Sequence, residues 1–309
     1  MDLSSLLGLG QTALELGLTY ALTVLALFLS YSMLNVCDLS TDGCFTFGAA
    51  VGAMVALAGH PYLSIPAAMG AGMLSGLVTA VLQTRMGVDS LLAGIIVNTG
   101  LYSINIAVMK GSSLVNLNST PTIFSLAKTA LKGTAFAGLY RVLVLLAAVG
   151  AVIIFLALFL NCKLGLAIRA TGNNMDMVRS SSINPAFTIT VGLCVANSFT
   201  GLSGCLLAQS QKACDINIGS GVLTIALASL LIGRTFMGRG SIPLRAIGVT
   251  LGSIIFRLIY TVALRLNMPA YMLKLTSSVI VVLTISLPYL RRQIPVLRRR
   301  MAGRRNTRC

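Results

Sequence analysis

The chain has 309 residues, of which 56% are hydrophobic and only 10% charged, with a mean hydropathy of +0.90. A soluble domain needs roughly 25% charged residues to cover its surface, so the composition excludes an ordinary soluble fold and defines an all-α polytopic membrane protein. The formal net charge of +16, from 23 Lys and Arg against 7 acids, would point to nucleic acid in a soluble chain. Here the bases gather at the ends of apolar runs and in the C-terminal tail without interleaved aromatics, so no nucleic-acid partner is expected.

The N-terminus lacks a basic segment and shows no small-residue cleavage site before Asp38, so the first apolar run, 14–34, is expected to remain as a span. Next comes NVCDLSTDGCFTFG, which puts two of the seven acids, Asp38 and Asp42, within five residues. Carboxylates at membrane depth are costly unless they face water, a partner or backbone amides. Capping of the next helix by Asp38, Ser40 or Thr41 and lining of a solute pathway both remain open at this point. Spans are expected at 47–58 and 62–84, on either side of a turn at His60 and Pro61, and each carries glycines four apart (Gly48 and Gly52, Gly72 and Gly76) that let helix backbones touch. The next span, 91–108, contains Asn98 and Asn105, two helical turns apart and so on one face, suited to interhelical hydrogen bonding or to a pathway. The polar stretch 111–138 holds a short surface helix, IFSLAKTALKG.

After a fifth span at 140–160 comes the polar, basic segment 161–184, with Lys163, Arg169 and Arg179 against Asp176 alone. An excess of Lys and Arg places such a loop in the cytoplasm. Within it 173–182 is expected to form a short helix, with Asn173 or Asn174 as cap and Met175, Val178 and Ile183 as an apolar stripe. The sixth span, 185–208, carries Asn197 in its interior, and 209–221 reads as an outer loop. The apolar run 222–232 is too short to span and is bracketed by Gly219, Gly221 and Gly233, as in the half-helices of transporters. A span at 242–264 contains Arg245 and Arg257, and the deeper arginine must snorkel, pair or face water. A last span, 270–290, gives about nine in all, within eight to ten. It ends the membrane domain, 1–290, and the tail 291–309, with eight arginines, fixes the C-terminus in the cytoplasm and meets anionic lipid headgroups.

Phosphate-loop, zinc-protease and nucleophile-elbow motifs are all missing, and seven scattered cysteines with one histidine offer no metal spacing. No cofactor, metal or enzymatic activity is expected. Polarity at depth makes Asp38, Ser40, Asn98, Asn105 and Asn197 the candidate pathway groups.

RATGNNMDMVRSSSIN, residues 169–184, resembles the coupling segment of bacterial ATP-binding-cassette (ABC) importer permeases of the branched-chain amino acid and ribose type. In those permeases Arg-Ala-x-Gly-x-Asn ends in a small residue followed by Ile-Asn, and Arg169, Ala170, Gly172, Asn174, Ile183 and Asn184 match. Asp38-Leu39-Ser40 before Gly43 is similar to their Asp-Leu-Ser stretch, while Asp42 departs from the ribose-type version, towards a branch handling aromatic amino acids such as tryptophan and tyrosine. Leu92 to Ile95 and Leu101 to Asn105 resemble the same branch. The resemblance runs from Asp38 to about Leu290 and implies a permease working as a dimer in the bacterial cytoplasmic membrane. It also implies a separate ABC ATPase that performs the hydrolysis and an extracytoplasmic solute-binding protein. The ATPase would be seated through Arg169, Gly172, Asn173, Asn174, Met177, Arg179, Ile183 and Asn184. An ion-coupled carrier or a channel without an ATPase is the alternative; a carrier would need an intramembrane acid, and Glu15, Asp38 and Asp42 are those available.

Overall fold

The structure is a computed structural model that describes residues 3–132, 138–237 and 240–265, together with 275, 278–283 and 286. Most of the expected span 270–290 and the whole tail 291–309 lie outside the described residues. In chain order the helices are α1 (Leu3–Leu27, continuing as a π-helical segment Phe28–Met33), α2 (Thr41–Leu57), α3 (Ser64–Thr84) and α4 (Ser90–Val108). Then come α5 (Ile123–Ala130), α6 (Tyr140–Asn161), α7 (Lys163–Asn173), α8 (Met175–Ser180), α9 (Pro185–Gln211), α10 (Val222–Met237) and α11 (Ile242–Arg265). Two short strands, β1 (Leu114–Asn116) and β2 (Ala213–Asp215), pair antiparallel with Val115 opposite Cys214. Among the described residues six helices are long and apolar enough to cross a membrane, while α2 and most of α10 are apolar but shorter.

The bundle is built around α9, which is enclosed over most of its length. Pro185 opens it at a position where a missing N–H costs nothing, and the Asn184 side chain accepts the Ala186 amide at 3.0 Å. It closes at Lys212, whose left-handed φ of 55° ends the helix. Both glycine pairs pack against it. A Cβ on Gly48 would fall inside the backbone of Gly201, one on Gly52 would strike Cys205 Sγ, and one on Gly76 would lie 2.6 Å from the Leu193 carbonyl. Without a hydrophobic drive between membrane helices, such close approach supplies the dispersion contact that holds α2, α3 and α9 together. Helix α1 is the second enclosed element, and the large apolar cluster runs from Leu18 through Leu34 to Leu193, Phe199 and Leu230.

Contacts fix the course of the chain between two faces. Gln11 donates to the Gly138 carbonyl and Glu15 pairs with Arg141 at 3.6 Å, so α1 and α6 start on one face. The far end of α1 touches α7 on the other. The chain then doubles back: residues 35–40 return without helix to mid-depth, where α2 begins and from which it climbs to the first face. Residues 216–221 do the opposite, dipping from the β1–β2 face to mid-depth, where α10 starts. Helices α1, α2 and α3 are thus mirrored in sense by α9, α10 and α11, an inverted arrangement with two half-helices opposed at the centre.

Most boundaries match the sequence reading within a few residues. Helix α2 begins six residues earlier than the expected 47–58, because its first turns are the polar TDGCFT that hydropathy alone would leave in a loop. The segment 161–184 contains two helices where one was expected. Close packing gives a direct expectation: Gly48→Ala lowers the melting temperature in detergent by an amount reflecting about 1–3 kcal/mol of overpacking. Gly70→Ala, whose Cβ would meet nothing within 4 Å, does not lower it.

Candidate functional site

The non-helical return at 35–40 needs its amides satisfied, because at this depth there is no water to do it. Asp38 supplies the bond: its Oδ1 accepts the Ser40 amide at 2.8 Å and its Oδ2 accepts Asn197 Nδ2 at 2.8 Å. Both side chains are almost fully buried, Asp38 at 1% and Asn197 at 2% exposure. Thr41 Oγ1 donates to the Asp38 carbonyl at 2.8 Å, and Thr79 Oγ1 donates to Ser40 Oγ at 3.3 Å. Ser40 occupies the cap position of α2 yet makes no side-chain capping bond. Three of the five candidate pathway residues, Asp38, Ser40 and Asn197, therefore form one buried clasp between the return and α9.

Asp42, in the first turn of α2, holds the second half-helix. Its Oδ2 accepts the Gly221 amide at 3.0 Å and its Oδ1 accepts that of Leu223 at 2.8 Å, while the Gly219 amide donates to Thr46 Oγ1 at 3.2 Å. The carboxylate thus sits where the positive ends of α2 and α10 converge. Beside it opens a cavity of about 270 Å³ between α2, α4 and residues 216–220. Asn98, Asn105, Thr46, Thr99 and Tyr102 line it with Asp42, and among the described residues no Lys, Arg or His does. Asn98 and Asn105 do share one face, and it is the cavity face. Asn105, 1% exposed, donates from Nδ2 to the Gly43 carbonyl at 3.3 Å, and its Oδ1 has no hydrogen-bond partner among the described residues. Sequence reasoning passed over Asp42, Thr46, Thr99 and Tyr102 as pathway groups. The available signal was an acid one residue before a close-packed glycine, together with the glycine-bounded start of α10.

On the opposite face α7 lies under the end of α1. A Cβ on Gly172 would enter the Met33 carbonyl, Thr171 and Thr188 share a hydroxyl hydrogen bond at 2.8 Å, and Ile168 is fully buried. Helix α8 projects beyond it. Asn174 caps α8 by accepting the amides of Asp176 and Met177, both at 3.1 Å. Of the eight residues the resemblance picks out, Gly172, Asn174 and Asn184 shape the backbone, while Asn173, Met177 and Arg179 are exposed, with Arg169 and Ile183 half-buried. The expected stripe is split, with Val178 buried and Met175 at the surface.

Arg257, for which the sequence names no partner, lies 5% exposed with its guanidinium 3.7 Å from the centre of the Tyr20 ring, in cation–π contact. Arg245 reaches Ser32 Oγ at 3.4 Å and lies over Phe28.

Two opposed half-helices whose N-termini meet a carboxylate beside a mid-depth cavity define a membrane transport protein of the inverted-repeat class. Residues 11–286 match the family described as "Branched-chain amino acid transport system / permease component", and the chain belongs to that family. It is similar to the tyrosine transport system permease protein of Clostridioides difficile (strain R20291), 30% identical over 266 residues that make up 86% of each chain. An uncharacterized protein of Rickettsia prowazekii (strain Madrid E) is 32% identical over 224 residues, 72% of this chain and 76% of that one. No solved structure matches. The chain is a multi-pass permease subunit of an ABC importer of the amino-acid class, a transport component whose family implies an ATPase and a solute-binding partner.

The clasp between Asp38 and Asn197 is expected to be strong for a bond between membrane helices. A double-mutant cycle on Asp38→Asn and Asn197→Ala, read by thermal unfolding in detergent, should give a coupling of about 1.5 kcal/mol, near the upper end for such bonds.

Proposed function

We propose that this permease carries an aromatic amino acid of the tyrosine type, and that α7 and α8 are the seat of the ATPase on the cytoplasmic face. The solute-binding protein docks on the face bearing β1 and β2. Two copies of the chain form the translocation unit in the bacterial cytoplasmic membrane, with C-termini in the cytoplasm and lipid around them. The pathway runs through the cavity beside Asp42, with Asn98 and Asn105 on its wall and Asp38, Ser40 and Asn197 supporting it from behind.

One observation carries the coupling role. Helix α7 is wedged by Gly172 and Thr171 against the end of α1 and the start of α9, while α8 offers exposed Met175, Met177 and Arg179 outward. Such a seat needs surface contact and stiffness and has no need of reactive groups. A push on α8 passes to Met33 and Leu34 and so to the return that ends at Asp38. The cargo reading is supported by the tyrosine transport relative and by the size of the polar cavity.

The test is reconstitution of the permease with its ATPase and binding protein in proteoliposomes, followed by uptake of labelled tyrosine, leucine and ribose. ATP-dependent uptake of tyrosine in preference to the other two is expected, and uptake by the permease alone on an ion gradient would sink the reading. Arg179→Glu, Arg169→Glu or Met177→Pro should reduce uptake about tenfold or more, the loss of roughly 1.4 kcal/mol of interface energy. The permease should remain in the membrane in each case. Unchanged uptake with unchanged co-purification of the ATPase would remove α8 from the coupling path.

A further inference from the structure

We propose that the cavity between α2, α4 and residues 216–220 holds the ammonium group of the cargo, with Asp42 and Asn105 as the groups that receive it. The inference rests on the reading of this cavity as the pathway and says which end of the solute it recognises.

Asp42 has acceptor capacity to spare. A carboxylate offers about four lone-pair positions, and the amides of Gly221 and Leu223 take one on each oxygen. Those amides and the positive ends of two helices offset part of the charge of the carboxylate without a resident cation. Asp42 is one of the residues that line the cavity.

Asn105 supplies the independent observation. Its orientation is settled by its neighbour: the Gly43 carbonyl can only accept, so the amide nitrogen must face it, as it does at 3.3 Å. The oxygen is left without a partner among the described residues, on a buried residue that lines the cavity. Buried acceptors are almost always bonded, and one left over in a cavity wall is a place for a donor. What is missing here is a donor.

The charge balance selects the kind of donor. Among the described residues the cavity wall carries one carboxylate and no cationic side chain. A ligand ammonium finds a carboxylate and an amide oxygen, whereas a ligand carboxylate finds neutral groups such as Asn98, Asn217 and Tyr102. Recognition is therefore asymmetric, and removing the amine from an amino acid should cost far more than removing its carboxylate.

The chain contains no tryptophan, so a single introduced one reports on the cavity. Tyr102→Trp, and separately Asn217→Trp, are made in the full-length chain in lipid nanodiscs and titrated with L-tyrosine, tyramine and hydroxyphenylpropionate, which lacks the amine. L-tyrosine and tyramine should shift the emission saturably at half-saturations within about threefold of each other, with hydroxyphenylpropionate at least about tenfold weaker. Asp42→Asn and Asn105→Leu in the reporter background should each raise the half-saturation about tenfold. The ligand comparison needs no change at either position, so it decides the matter even where a variant folds poorly. Equal binding of hydroxyphenylpropionate would overturn the proposal. So would titrations unmoved by Asp42→Asn and Asn105→Leu, or the lack of any saturable response in a chain that carries tyrosine when assembled. If the assembled transporter carries no tyrosine but tyramine still saturates the reporter through Asp42, the ammonium site stands and the cargo assignment falls.

Discussion

Irregular backbone inside a membrane has no water to bond to, and the centre of this fold is shaped by that shortage. The chain abandons the helix twice at mid-depth, at 35–40 and at 216–221, and each time an aspartate takes the amides that water would have taken. Asp38 receives Ser40 and Asn197; Asp42 receives Gly221 and Leu223. These bonds join segments up to 181 residues apart in sequence. The acids that look most expensive in an apolar chain are therefore the ones that let it fold. Each carboxylate is bonded on both oxygens, which offsets the cost of its burial.

The same arrangement links the two faces mechanically. The π-helical end of α1 closes with Leu34 donating to Leu29 and Val36 to Ser30, at 3.1 and 3.0 Å. Immediately below it Gly172 leaves no gap between α7 and the Met33 carbonyl. From Leu34 the chain reaches Asp38 in four residues, too few to absorb a displacement by slack. Under the proposed coupling, a displacement of α7 would reach the clasp on Asn197 and, from there, the first turn of α2, where Asp42 accepts amides of the segment that opens α10. Packed elements of this kind switch between discrete positions rather than deforming smoothly.

Much of this was legible from the residues. Hydropathy located the long spans because each is a continuous apolar run, and the glycine pairs at 48 and 52 and at 72 and 76 announced the contacts they make. The short α10 was visible from its flanking glycines. The start of α2 was less so, because its first turns are polar, and polarity at a helix start has the same local signature as a loop. Asp42 escaped for a related reason: an acid at the head of a helix is accounted for by its own helix, and its bonds to a segment far along the chain leave no local trace. Helix α7 was missed because KLGLAIRATGN mixes charge and glycine, and tertiary contact through Ile168, Gly172 and Thr171 stabilises what propensity would not.

The electrostatics of the central cavity also fit a passage better than a store. A lone carboxylate in hydrocarbon would bind a cation tightly and release it slowly. Here two helix ends and two backbone amides offset part of the charge, so an ammonium at the proposed site would gain hydrogen bonds and give up comparatively little on leaving. Conduction needs binding strong enough to admit a solute and weak enough to let it go. Arg257 lies behind this site: its guanidinium sits over the face of Tyr20, which in turn stacks on Phe45 in α2 at 5.8 Å. A buried positive charge is thereby placed one aromatic pair away from the helix that carries Asp42. Arg257 does not itself line the cavity, whose one acidic residue among those described is Asp42.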